Sequence, residues 1–308
     1  MIASHARRAW PEEDMAGRRC IVTGASSGIG RAIATGLAAR GANVAVVGRN
    51  PTRTAEAVAE VDAAARASGR GGEAHAFRAD FSSLASVDAL AASLLELPAP
   101  DVLINNAGLW HNDRKVSADG FEDTFQVNVL APALLTLRLA PGMLARGSGR
   151  VVHVASVQHK AAKAFPFDDL QQTRRRFRGI RVYGESKLGN VLFSGELARR
   201  LAGSGVTSNA LHPGTVVTNV VRDNAFLSAA IKVAAPALMT PEQGAIAALR
   251  LASDPSLATV NGRYFDPDGS EGTPSAASKD VRDAERLYGL LVRMSGLDPA
   301  SLPPALRP

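Results

Sequence analysis

The chain carries a single cysteine, Cys20, so no internal disulfide can form and nothing points to an oxidising compartment. Cys20 lies in a short apolar run and reads as a buried packing residue rather than a nucleophile. Aromatic residues make up only 5 % of the 308, which leaves the core to be built from Ala, Val and Leu. No run of about 18 uninterrupted apolar residues occurs, so no membrane span is predicted. The first 18 residues mix charged, apolar and proline residues, unlike a signal peptide or membrane anchor, and the cytoplasm is the expected location. No His/Cys/Asp group has metal-ligand spacing, and no metal is expected. Long linkers, repeats and low-complexity blocks are missing too, which favours one domain.

What remains is an ordinary soluble composition, 46 % hydrophobic and 21 % charged. The formal charge of +6 would suit nucleic acid. Its densest cluster, Arg174-Arg175-Arg176-Phe177-Arg178, reads instead as a solvated face or the rim of a substrate loop. No second nucleic-acid motif accompanies it, so nucleic acid is not an expected partner.

Short β-rich runs alternate with longer Ala/Leu-rich stretches. Strands are predicted at 19–23, 43–47, 73–78, 101–105, 150–155, 207–212 and 262–265, and helices at 29–40, 52–67, 84–95, 118–145 and 181–201. Strands separated by helical stretches imply crossovers and a parallel sheet. Several strands are apolar throughout, as expected when both faces are covered. Gly41 stands where a C-terminal cap would close the first helix. Residues 157–182 form a polar and aromatic insertion, and 219–240 an apolar, helical segment. The fold class is therefore α/β: a single doubly wound parallel sheet of the Rossmann type, with helices on both faces and an insertion before the last long helix. An N-terminal extension (1–17), the domain proper (18–295) and a C-terminal tail (296–308) make up the chain.

Tyr183 and Lys187, four residues apart, stack on one face of a helix. A neighbouring ammonium favours the phenolate and lowers the tyrosine pKa, and a phenol that exchanges protons near neutrality suits carbonyl reduction. The first strand runs into Thr23-Gly24-Ala25-Ser26-Ser27-Gly28-Ile29-Gly30. Glycines there permit a tight turn and let backbone N–H groups approach a pyrophosphate at a helix N-terminus. After the second strand comes Gly48-Arg49-Asn50, with no acid to hold a ribose 2′-hydroxyl and an arginine that suits a 2′-phosphate. NADP(H) is favoured over NAD(H), with NAD(H) kept open, because Ser27 stands where a second basic residue could have been.

Taken in order, Thr23-Gly24-x-x-x-Gly28-x-Gly30, Asn105-Asn106-Ala107-Gly108, Ser156, Tyr183-x-x-Ser186-Lys187 and His212-Pro213-Gly214-x-x-x-Thr218 resemble the short-chain dehydrogenase/reductase family over about residues 17–295. Phe167-Asp168-Asp169-Leu170, Ser186-Lys187-Leu188-Gly189-Asn190 and Gly262-Arg263-Tyr264-Phe265 resemble its retinol-dehydrogenase-like and protochlorophyllide-reductase-like branch. The resemblance implies a catalytic set of Asn128, Ser156, Tyr183 and Lys187. Tyr183 is the general acid/base, Ser156 binds the substrate oxygen, Lys187 lowers the tyrosine pKa and holds the ribose, and Asn128 holds a relay water. Cofactor contacts are implied at Gly24, Ser26, Ser27, Gly28, Ile29 and Gly30, at Arg49 and Asn50, and at Asp80 with Phe81 by the adenine. Further contacts are implied at Asn106, Ala107, Gly108, Tyr183 and Lys187, and at Pro213, Gly214, Val216 and Thr218 by the nicotinamide. Ser156 and Tyr183 are 27 positions apart, a wider gap than in the commonest members, so the insertion must loop out.

Trp110, His111, His159, Phe165, Phe226 and Leu227 are substrate-pocket candidates, the two histidines reading as surface or structural rather than catalytic. The insertion and residues 219–240 would form a lid. The resemblance implies an NADP(H)-dependent oxidoreductase that acts on a lipophilic or aromatic ketone or aldehyde, or on the alcohol in reverse. Many relatives pair through the helices carrying Asn128 and Tyr183, a pairing that the insertion could alter, so a homo-oligomer and a monomer both stay open. Reduction of an activated double bond or quinone, and a non-catalytic NADP(H)-binding scaffold, stay open.

Overall fold

A computed structural model describes residues 14–216 and 239–308. The valine-rich runs form β1 (Arg19–Thr23), β2 (Asn43–Gly48), β3 (Ala74–Arg78), β4 (Val102–Asn105), β5 (Gly149–Val154), β6 (Val206–Leu211) and β7 (Tyr264–Phe265). They make one sheet in the order 3-2-1-4-5-6-7, with every neighbouring pair parallel. All residues of β4 and β6 are buried, as a strand covered on both faces requires.

The helices are α1 (Gly28–Ala38), α2 (Pro51–Ser68), α3 (Leu84–Leu95), the single turn α4 (Asp123–Phe125), α5 (Ala131–Arg146), α6 (Gly179–Arg200), α7 (Pro241–Ser253) and α8 (Val281–Met294). One face of the sheet packs with α1, α2 and α7 through Ile33, Leu37, Val61 and Leu251. The other packs with α3, α5, α6 and α8 through Leu90, Leu134, Leu192 and Leu291. The doubly wound α/β reading is correct, and the order of the sheet reverses between β1 and β4.

Several boundaries differ from expectation for local reasons. The helix expected from Ala118 begins only at Asp123, because Gly120 turns left-handed (φ 84°) and Val116 bridges to Glu122 across that turn. The Glu122 carboxylate then accepts the Thr124 and Phe125 N–H groups and starts the helix. A π-helical turn, Gln126–Leu130, links α4 to α5. Helix α1 ends at Ala38, and Gly41 (φ 92°) lies beyond its C-cap residue, Ala39. Helices α7 and α8 escaped the sequence reading; α8 buries Leu287, Tyr288 and Leu291 completely. Residues 296–308 pack on the same core, where Leu306 is buried and its carbonyl accepts the Tyr288 hydroxyl at 2.7 Å. The stretch Asp123–Arg146 is long and apolar enough to cross a membrane, but most of it is core.

Candidate active site

The segments leaving the C-terminal ends of β1, β2, β4, β5 and β6 carry most of the predicted site residues, Asp80 and Phe81 follow β3, and Asn128, Tyr183 and Lys187 come from helical segments. Ligands of open parallel sheets bind at that edge, where the strand order reverses. The turn after β1 is held by its neighbour. Thr23 Oγ1 accepts the N–H groups of Asn106 and Ala107, both at 3.0 Å, and Asn106 Nδ2 donates to the Thr23 carbonyl at 2.8 Å. A Cβ on Gly30 would meet Asn106 Nδ2 and the Gly24 carbonyl oxygen, the latter at 2.5 Å, so only glycine fits. Gly24 and Gly28 are left-handed (φ 66° and 57°), which residues with a Cβ rarely adopt. Gly24, Gly30 and Asn106 therefore form one packed unit. Ile29 and Val216 meet across Gly244 of α7, which brings the turn after β6 against the first turn of α1.

Arg49 is exposed just past β2. A Cβ on Gly48 would run into Thr54 Oγ1 and lie 3.0 Å from Ser26 Cβ, which leaves no room for an acidic side chain there. Asn50 uses its side chain to cap α2, accepting from the Arg53 N–H at 3.0 Å. Asp80 ties its own turn, Oδ1 accepting from the N–H and hydroxyl of Ser82. Phe81, beside it, is core.

At the centre, the Ser156 hydroxyl is near enough to the Tyr183 phenol to favour its ionised form, and Lys187 Nζ lies 5.6 Å from the Tyr183 ring centroid. Lys187 Nζ donates to the Val154 carbonyl at the end of β5, at 2.9 Å. Asn128 is fully buried in the π-helical turn. Its Oδ1 accepts the Leu109 N–H at 2.8 Å, while Nδ2 donates to the Leu109 carbonyl and to Ser186 Oγ, each at 2.9 Å. Asn128 thus clamps the loop after β4 to α6. Asn128 Oδ1 and Lys187 Nζ converge on Gly108, each 3.3 Å from where a Cβ would sit. Pro213 and Gly214 follow β6, and Thr218, Phe226 and Leu227 lie outside the described residues.

The electrostatics differ from the expectation that Lys187 acidifies Tyr183. Burial holds the Tyr183 hydroxyl above its usual range, and the Ser156 hydroxyl pulls the other way. Burial pushes the Lys187 ammonium down to about 8. Beneath it, burial first and Lys187 second push His153 down to about 3.

The pocket candidates separate. Trp110 stacks on Tyr183, centroids 6.1 Å apart and planes at 27°. Phe165 is core, packed against Phe125 and Phe167. His111 pairs with Asp123 at 2.7 Å. His159, read as surface or structural, is fully buried and has no surface role.

Glu185, inside the Tyr183–Lys187 motif, escaped the sequence reading. It is buried and receives Arg175 Nη1 at 3.0 Å and Gln172 Nε2 at 2.9 Å, while Arg175 Nε also reaches Asp169 at 3.2 Å. This clip pins the insertion to α6, so Arg175 is not part of a merely solvated face. A carboxylate on an otherwise buried helical segment was the available signal. A cavity of about 600 Å³ between α6, β7 and residues 271–284, lined by Ser194, Ala198, Arg263 and Lys279, contains none of the predicted site residues.

The α1 turn answers whether a dinucleotide suits these residues. Asn50, Ser83 and Asp280 cap α2, α3 and α8 with side-chain bonds, but Ser27 makes none and the first turn of α1 carries no acid. Its N–H groups remain available to an anion. Residues 18–167 match a family profile described as short chain dehydrogenase. Retinol dehydrogenase 12 of Homo sapiens is 36 % identical over 282 residues, covering 91 % of this chain and 87 % of that protein. An uncharacterised protein from Mycobacterium Paratuberculosis aligns over 93 % of this chain and 96 % of its own, with a TM-score of 0.75 at 28 % identity. A candidate NAD(P)-dependent gluconate 5-dehydrogenase from Beutenbergia cavernae, solved with NADP at low occupancy, aligns over 84 % and 98 %, with a TM-score of 0.66 at 36 % identity.

Proposed function

The chain belongs to the short-chain dehydrogenase/reductase family, and from that premise we propose that it interconverts a lipophilic or aromatic carbonyl and its alcohol using NADP(H). The convergence of Ser156, Tyr183 and Lys187 at the C-terminal edge of the sheet carries this reading. Bound NADPH would supply the hydride. The Ser156 hydroxyl donates to the substrate oxygen and polarises the carbonyl. Tyr183 gives its proton to that oxygen as negative charge develops, or takes it in the reverse direction. Lys187, already aimed at Gly108, holds the ribose hydroxyls. The uncapped N-terminus of α1 takes the pyrophosphate. Arg49 takes the 2′-phosphate, a role supported by its exposure and by the crowding that bars an acid at position 48.

The apolar substrate is supported by Trp110, which lays its ring beside Tyr183, and by the named activity of the 36 % identical relative. A buried, unpaired Cys20 suits a reducing cytoplasm, the proposed location. The test is NADPH oxidation with all-trans-retinal and 4-nitrobenzaldehyde, with product analysis. Alcohol should form, and Tyr183→Phe should slow it by about 10²- to 10⁴-fold. A saturated carbonyl product, or full turnover in the variant, would overturn the reading.

A further inference from the structure

Three rings adjoin at the C-terminal ends of β5, β6 and β7: His159 and Tyr264, both buried, and His212, partly buried. His159 and Tyr264 have centroids 4.9 Å apart, and Tyr264 and His212 5.8 Å apart at 19° between planes. The hydrogen bonds assign a tautomer to each histidine. His159 Nε2 accepts the Ser275 N–H at 3.0 Å, so its proton sits on Nδ1, which donates to the Ser156 carbonyl at 2.7 Å. His212 Nδ1 accepts the Gly214 N–H at 3.3 Å, and Nε2 donates to Asp266 Oδ1 at 3.2 Å. Burial favours the neutral form of both rings.

From this geometry we infer that His159 is a positioning residue for the reaction: it holds the backbone of Ser156 against the segment carrying Ser275, and so aims the Ser156 hydroxyl at Tyr183. The inference rests on the oxygen-binding role given to Ser156 above. Ser156 is extended (φ −160°, ψ 153°), and the loop that follows it is a short 3₁₀ turn, Val157–Ala161. Hydrogen bonds in such a turn have poorer geometry than in an α-helix, and Ser156 Oγ caps this one by accepting the Gln158 N–H at 3.2 Å. Besides the His159 N–H at 3.1 Å, the imidazole supplies the side-chain bond on that carbonyl. Through Tyr264 and His212 the same stack reaches Gly214. Ser156 and the turn facing the nicotinamide are therefore braced by one block of rings, and a small shift in it moves both.

The test uses the full chain with three substitutions. His159→Leu removes both arms at similar volume. His159→Asn keeps a donor near the Nδ1 position and loses the Ser275 arm. Tyr183→Phe serves as the reference for the underlying reading. His159→Leu should lower kcat for the aldehydes about 10- to 100-fold, as a misplaced catalytic group does, with KM and NADPH Kd held within about twofold. His159→Asn should restore most of that loss. An independent readout is ¹³C NMR of tyrosine labelled at Cζ, because the chain has three tyrosines and Tyr183→Phe identifies one signal. The nearby Ser156 hydroxyl favours the ionised Tyr183, so loosening Ser156 in His159→Leu should move that titration upward whether or not either aldehyde is turned over. An unmoved Tyr183 titration, or equal loss of kcat in the Leu and Asn variants, overturns the inference. Full turnover in Tyr183→Phe instead overturns the role given to the phenol and leaves the bracing of Ser156 to the NMR readout.

Discussion

Replacing Gly30 by alanine adds one methyl group at the tightest point of the glycine turn. The new Cβ meets Asn106 Nδ2 and lies 2.5 Å from the Gly24 carbonyl oxygen. Asn106 can rotate away, but it then gives up its bond to the Thr23 carbonyl, which costs about 1 kcal/mol. The Gly24 oxygen belongs to the backbone, so the turn itself must move, an overpacking cost of about 1–3 kcal/mol. Alanine recovers about 0.5–1 kcal/mol through its helix preference. The net loss is about 1–3.5 kcal/mol, or a fall in Tm of roughly 2–6 °C for a domain of this size. Because the displaced N–H groups are those offered to the pyrophosphate, NADPH should also bind at least about tenfold more weakly, equivalent to about 1.4 kcal/mol. Gly195→Ala on α6 is the control, since nothing lies within 4 Å of its Cβ; it should raise stability by about 0.5–1 kcal/mol. Thermal melts and NADPH fluorescence titrations of both variants decide the matter. A Gly30→Ala protein that melts with the wild type and binds NADPH equally well refutes the steric argument.

Lys187 makes stability depend on pH. Its ammonium titrates at about 8 in the fold against 10.5 ordinarily, so between those values the unfolded chain binds more protons and stability rises with pH. From pH 8 to 9.5, urea melts should show wild type gaining about 1–2 kcal/mol that Lys187→Met does not gain; parallel curves would contradict this. Arg49→Glu should raise KM for NADPH about tenfold or more while leaving KM for NADH little changed, because it replaces the proposed phosphate partner with a like charge. Equal effects on both cofactors would remove Arg49 from that role. Arg175→Ala leaves the Glu185 carboxylate short of its main cation and should cost about 1–3 kcal/mol, with faster protease cleavage in residues 157–182. Unchanged cleavage would show that the clip does not hold the insertion.

Read alone, the residues determined the α/β class, the parallel sheet, six strands to within a residue at each end, and the cluster at the C-terminal edge. Those features follow from apolar periodicity and from glycines that only certain turns accept. They could not show that the helix expected from residue 118 starts only at Asp123, after Gly120, because a left-handed glycine is invisible in an Ala- and Leu-biased pattern. Tertiary structure alone decided the sign of the Tyr183 shift. The spacing puts an ammonium near the phenol, but burial of the phenol decides the direction of the shift. Glu185 with Arg175, and His159 with Ser275, likewise join residues 10 and 116 positions apart. Such pairs exist only once the insertion and the C-terminal segment are folded back onto α6 and β5, because a hydrogen bond depends on distance in space and not on separation along the chain.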